Sequence, residues 1–194
     1  QLEARIEAIR AAGYPVTRKE LDAWYSIPEG ADNAAFILVD AFSCFPDANK
    51  VERKLLPGIG KARFPGRTED LAEDTLRVVA HYLGKNRDAL ALLHEGAAIE
   101  NCRYPMDLSR RDVVLSHLSD TRRSVMRLKL ESMIHVENGQ NARALDSVIS
   151  IFGLVRTLNR DPFVVSQFSR AWCLEMGISA LERIVNKVKL TDDQ

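Results

Sequence analysis

Residues 114–158 read VLSHLSDTRRSVMRLKLESMIHVENGQNARALDSVISIFGLVRTL, and this stretch decides the fold. Its apolar positions Val114, Leu118, Val125, Leu128, Met133 and Val136 recur at helical spacing, and Gly139 then supplies a left-handed stop. After Asn141 a second set resumes: Leu145, Val148, Ile149, Phe152, Val155 and Leu158. Two long helices joined by so short a connection lie antiparallel. Ser109, with Asp112 three residues on, is a cap signal for the first arm. Asp161-Pro162 opens a third long helix, in which Val165, Phe168, Trp172, Met176, Leu181 and Ile184 are expected to face inward. The long helices are thus expected at about 110–138, 141–159 and 162–189, with a frayed tail from Thr191 to Gln194.

Working towards the N-terminus, the same logic yields shorter helices. Asn86 or Asp88 starts one through Leu90, Leu93, Ala97 and Ile99. Thr68 opens another with an acidic first turn, Glu69, Asp70, Glu73 and Asp74, and Gly84 stops it. Between residues 49 and 66 periodicity fails, which predicts an irregular loop. Asp32 or Asn33 caps a helix through Phe36 and Phe42, and Thr17 with Glu20 is a capping box before Leu21, Trp24 and Tyr25. Leu2, Ile6 and Ile9 stripe a first helix that Gly13 and Pro15 terminate. The sum is one all-α domain over 1–194, an irregular antiparallel bundle of about seven to eight helices with a repeat-like C-terminal hairpin.

Composition narrows the function classes. Twenty-seven basic residues balance 27 acidic ones, so the global positive charge of a nucleic-acid binder is absent and no such partner is expected. No run of about 18 apolar residues occurs in the chain. Cys44, Cys102 and Cys173 are widely spaced and lack a Cys-x-x-Cys motif. They read as small core residues, with one disulfide and a leftover thiol as the alternative.

Candidate chemistry centres on histidine. Glu131 and His135 sit four apart on one helix face, and His94-Glu95 offers a second pair, but neither His-Glu-x-x-His nor a doubled Glu-x-x-His is present. Gly58-Ile59-Gly60-Lys61 lacks the spacing of a phosphate-binding loop, and no Gly-x-Ser-x-Gly elbow occurs. No catalytic residue, metal ligand or cofactor is assigned. Charge is most uneven at Arg103, Arg110, Arg111, Arg122, Arg123, Arg127 and Lys129, where Arg123 and Arg127 share a face. Arg110, Arg111, Arg122, Arg123 and Arg127 form a candidate surface for an acidic partner or an anionic lipid, but the preferred reading pairs this region with the acidic turn at Glu69 to Asp74. Tyr104, Trp24 and Tyr25 are candidates to line a groove or, alternatively, to pin loops onto the bundle.

Gly139, Ala142, Ala144 and Leu145 resemble the turn and inner helix of one tetratricopeptide-like hairpin, without a second copy at its period. Gly13-Tyr14-Pro15-Val16-Thr17 with Glu20-Leu21, Asp32-Asn33-Ala34-Ala35, Leu93-His94-Glu95 and Cys102-Arg103-Tyr104-Pro105 resemble uncharacterised bacterial, planctomycete-type helical proteins. That resemblance implies a membrane anchor ahead of the first helix and brings no activity with it. The chain opens at Gln1 already in helical rhythm, which fits an upstream segment having been removed. The expectation is a non-enzymatic helical scaffold that binds a protein or peptide in a groove and is held at a membrane outside the cytoplasm. The alternatives are a cytoplasmic protein, an enzyme or metal-binding domain using Glu131 and His135 or His94 and Glu95, and an oligomeric element built on the apolar C-terminal helix.

Overall fold

The computed structural model describes residues 1–108, 110 and 112–188. The chain is an all-α helical bundle. The described residues form nine helices: α1 Leu2–Ala11, α2 Arg18–Trp24, α3 Ala34–Cys44, α4 Lys50–Leu55, α5 Glu73–Lys85, α6 Arg87–Ala98, α7 Ser116–Glu137, α8 Asn141–Thr157 and α9 Val164–Lys187. None of them is long and apolar enough to cross a membrane.

The α7–α8 hairpin forms as its sequence dictates. Gly139 adopts φ 68°, Gly139 N–H donates to the Val136 carbonyl and Gln140 N–H to that of His135, a Schellman closure that satisfies the last carbonyls of α7. Helix α7 is the axle of the bundle, packed against α3, α5, α6, α8 and α9. Leu128, Leu130 and Met133 are accordingly buried although they point in different directions around it. On the other side of α8, Gly153 lies against the Ala97 carbonyl at the end of α6, and Arg156 donates to that same oxygen at 2.8 Å. A side chain at 153 would hold the two helices apart.

Capping decides the shorter elements. The Thr17–Glu20 box is present, and of the two expected caps of α3 it is Asn33 whose side chain accepts from Ala35 N–H. Residues 49–66 are less irregular than expected, since Asn49 and Glu52 form a second capping box that starts α4. Glu52 is buried and held by Lys85 of α5 at 2.7 Å. Gly60 then folds back so closely that a Cβ would meet the carbonyl oxygens of Glu52 and Arg53.

Four boundaries differ from the sequence reading, each for a tertiary reason or a local one. Helix α5 starts at Glu73 and not at Thr68, because Arg183 takes the carbonyls of Gly66 and Glu69 and holds that segment out of helical form. Gly84 does not stop α5; Asn86 does, donating its amide to the Tyr82 carbonyl at the junction with α6. Helix α7 begins at Ser116, not near 110, and the expected cap Ser109 lies outside the described residues, as does the tail from Thr191. Helix α9 begins at Val164 because Asp161 directs its carboxylate to His117 as well as to Phe163 N–H.

Two apolar stripes also face differently. Leu2 and Ile9 are exposed and α1 buries no side chain, while on α9 the core face is Cys173, Gly177, Ala180 and Ile184, leaving Val165 and Phe168 outward. Helix α9 is apolar on two faces, so periodicity alone did not select the buried one. The cysteines are all free thiols: Cys44 is exposed, Cys102 half-buried and Cys173 buried, so neither the disulfide nor a uniform core placement holds.

Candidate functional site

The seam between α3 and α7 opens into two adjoining cavities that share Phe42 and Asp120 as walls. One stripe of α7, His117, Asp120, Arg123 and Arg127, recurs at helical spacing and runs through both, with further polar side chains from Ser43, Asp47, Arg53 and Tyr82. A helix rises about 1.5 Å per residue, so His117 and Arg127 mark ends of a cleft about 15 Å apart.

The basic end has a volume of about 320 Å³ and is lined by Arg53, Arg123 and Arg127 with Asp47, Phe45 and Tyr82. Arg127 is 8% exposed. Its Nε donates to the Tyr82 hydroxyl at 2.9 Å and its guanidinium lies 3.9 Å from the Phe45 ring centroid. Among the described residues it has no carboxylate partner. An aromatic face and one neutral hydroxyl compensate only part of the cost of burying a cation, which normally brings a counter-charge with it. Arg123, four residues earlier, is exposed and sits 3.9 Å from Asp120, and Arg53 is steadied by the Ala48 carbonyl. A planar anion entering this end would meet a preoriented guanidinium fork.

The other end, about 310 Å³, has apolar walls from Val39, Phe42, Pro105 and Val114 beside Tyr104 and His117. His117 Nε2 is 2.7 Å from Asp161 Oδ2, and both side chains are buried. Its ring stacks on Tyr104, with centroids 4.3 Å apart and planes 21° apart. Tyr104 is itself fixed through its hydroxyl to Thr157 at 3.1 Å, and burial drives its phenol above the usual range. The imidazole is thus clamped in plane and in orientation.

The residues singled out from sequence are distributed unevenly over this geometry. Arg123 and Arg127 are in the cleft; Arg110 is exposed beside Asp112, Arg122 lies over Trp172 at 4.4 Å, and Arg111 is outside the described residues. The surface expected from all five is therefore not one exposed patch. The preferred pairing with the acidic turn is also replaced: Asp70 pairs with Lys187, and Glu73 and Asp74 with Arg77. Tyr25 is buried and accepts from Tyr104 N–H, and Arg160 holds the Trp24 and Ser26 carbonyls. These aromatics pin the 99–108 segment and α2 to the bundle, although Tyr104 also walls the His117 cavity. Phe42 and Tyr82 were not singled out for the cleft from sequence, His117 was one of the four histidines but was given no partner, and Asp161, read there as a helix cap, proves to hold His117 from behind the cavity. His117, Asp120, Ser124 and Arg127 form a polar stripe along a helix otherwise rich in apolar positions, and that was the available signal.

Elsewhere the structure joins one member from each of the two expected histidine pairs. His94 Nε2 is 2.8 Å from Glu131 Oε2, His94 Nδ1 is 2.7 Å from Ser150 Oγ, and Ser147 donates to the same Glu131 oxygen. The bond to Glu131 raises the His94 pKa against the opposing effect of burial. His135 bonds instead to Gln140, and Glu95 is exposed. A serine–histidine–glutamate chain invites comparison with hydrolases. Ser150, however, lies within α8, where neighbouring backbone N–H groups are engaged in the helix and none is offered to an oxyanion. Among the described residues no three His, Cys, Asp or Glu side chains are grouped to hold a metal ion. The network is a polar tie between α6, α7 and α8. Lys129 is another buried cation; it donates to Ser179, and burial lowers its pKa, but it lines neither end of the cleft.

Comparison of the chain with protein-family models, with curated protein sequences and with solved structures yields no match, so the functional reading stands on this geometry alone.

Proposed function

We propose that this chain is a non-enzymatic helical interaction module whose α3–α7 cleft takes an acidic segment of a partner protein. The observation that carries the reading is Arg127, a buried guanidinium with an aromatic platform and, among the described residues, no carboxylate paired to it, opening into a cavity beside Arg123 and Arg53. Two acidic residues, Asp47 and Asp120, share that cavity, so the excess charge suits one carboxylate and not a run of phosphates. The length of about 15 Å matches roughly five residues of extended peptide.

A peptide array probed with the labelled protein tests this. Pentapeptides bearing Asp or Glu are expected to bind more strongly than their Asn and Gln counterparts, and Arg127→Met is expected to abolish the difference. Equal binding of acid and amide peptides would overturn the reading.

A second reading, self-association, is favoured by α9. Val164, Phe168, Ile178 and Val185 are exposed there at spacings compatible with a helix–helix seam. Sedimentation equilibrium of the wild type beside Phe168→Glu checks it, and a monomer at all concentrations removes it.

A further inference from the structure

Beyond the acid-binding end the cleft continues, across Phe42 and Asp120, into a cavity of about 310 Å³ that an acidic side chain on Arg127 would leave unfilled. We infer that this cavity is an anchor pocket for an aromatic side chain, phenylalanine or tryptophan, of the same partner segment, four residues from its acid; this rests on the peptide-docking reading above.

The walls that stand open are apolar. Val114 is 79% exposed and Val39 41%, and Phe42 and Pro105 line the cavity with them. Phe36, one turn before Val39 on the same side of α3, is 71% exposed and continues that face. Apolar groups gathered at the mouth of a cavity favour a partner that takes them out of water. The volume lies at the lower end of ligand pockets, roughly 300–1,000 Å³, and so suits one large side chain.

The polar side chains here are engaged within the fold or by solvent. Ser43 donates to the Asp40 carbonyl at 2.8 Å, the Tyr104 hydroxyl lies 3.1 Å from that of Thr157, and His117 is held by Asp161. Ser116 is exposed, so water already serves it. A polar ligand group would compete with these bonds, whereas an apolar one leaves them in place. Asp120 decides between apolar groups. Its carboxylate stands on the wall shared with the basic end, 3.9 Å from Arg123, and an aromatic ring has a positive edge to turn towards it that an aliphatic chain lacks. Phe42 and Tyr104 add aromatic surfaces on which such a ring packs.

Spacing follows from backbone geometry. His117 and Asp120 both line the pocket, ten and seven residues before Arg127 on α7, which places it about 10–15 Å from Arg127 along the helix. Side chains of an extended peptide alternate in direction, so positions i and i+4 point the same way and lie about 13 Å apart. An aromatic residue and an acid at those two positions reach both ends of the cleft together.

The test is a calorimetric titration of the full chain with capped Phe-Ala-Ala-Ala-Glu and its reversed order, with Trp, Leu, Ser, Lys or Ala in place of Phe and Gln in place of Glu. In one of the two orders the aromatic peptides are expected to bind at least about tenfold more tightly than the alanine peptide, the factor that burying one large apolar side chain gives, and more tightly than the leucine one. Val39→Asn combined with Val114→Asn, at two exposed positions outside the core, should remove most of that factor and leave the acid dependence. Intermolecular nuclear Overhauser effects from the peptide ring to the Val39 and Val114 methyl groups are expected in the wild type. Equal affinity of aromatic and alanine peptides, leucine, serine or lysine peptides that match the aromatic ones, or an aromatic preference that survives the double variant overturns the anchor pocket, while acid-dependent binding leaves the docking reading intact. Affinity that does not depend on the acid in any peptide, or no binding at millimolar concentration, overturns the docking reading and the pocket with it.

Discussion

Replacing Arg127 and Tyr82 together by Met and Phe separates a receptor from a strut. If Arg127 is kept for a ligand, its burial is a standing cost to the fold. That cost is several kcal/mol for desolvating a cation, offset by a charge-assisted hydrogen bond to Tyr82 of about 1.5–3 kcal/mol and by cation–π attraction to Phe45 of about 0.5–2 kcal/mol. The single Arg127→Met change orphans the Tyr82 hydroxyl, at about 1–3 kcal/mol, and so is expected to leave stability nearly unchanged. The double change removes ion and hydroxyl together, keeps volume, and is expected to raise unfolding free energy by about 1–4 kcal/mol. Binding of the acidic peptides should fall at least a hundredfold in both variants, the loss of a bidentate charge-assisted contact. Urea denaturation followed by far-ultraviolet circular dichroism, run beside the peptide titration, reads both quantities. A double variant that loses more than about 2 kcal/mol and still binds acidic peptides would show that Arg127 holds the fold together and receives nothing.

Three further outcomes follow from the packing and the titrating groups. Gly153→Ala should cost about 1–3 kcal/mol by driving α8 off the Ala97 carbonyl, whereas Gly84→Ala, facing open space in α5, should add about 0.5–1 kcal/mol; the difference in denaturation midpoints checks both. His94 has a raised pKa, so its stabilising contribution is full below the ordinary value of 6.5 and is lost as pH rises through the folded value. Wild type should therefore exceed His94→Gln in stability by more at about pH 6 than at about pH 8, and parallel pH curves for the two would sink the argument. Thiol labelling of the native protein should modify Cys44 first, because burial pushes Cys102 and Cys173 up to about 12; simultaneous labelling of all three without denaturant would contradict their placement.

The all-α character and the central hairpin were legible because they rest on local signals: period, the glycine at 139 and the capping boxes. Asn49-x-x-Glu52 was an equally local signal that the surrounding Pro and Gly residues obscured. The displaced starts of α5 and α9 were not legible, since both depend on partners more than 40 residues away, Arg183 for residues 66–69 and His117 for Asp161. The inner face of α9 was ambiguous for a different reason, as apolar residues lie on both of its sides. At the site, the shared face of Arg123 and Arg127 was visible in the sequence. What could not be read there was that α3 and α5 cover Arg127 with Phe45 and Tyr82 and bring it no acid. In the same way His94 and Glu131 each looked like half of a pair, but only the packing of α6 on α7 showed which halves belong together.

The most direct measurement is a heteronuclear NMR titration of the uniformly labelled chain with an acidic pentapeptide, beside its amide counterpart. Saturable shifts of the Arg127 side-chain Nε–H and of the amides around Phe42 and Asp120, with α9 unmoved, are the expected result. Shifts confined to the outer face of α9, or none at millimolar peptide, would contradict the assignment of the α3–α7 cleft as the docking site.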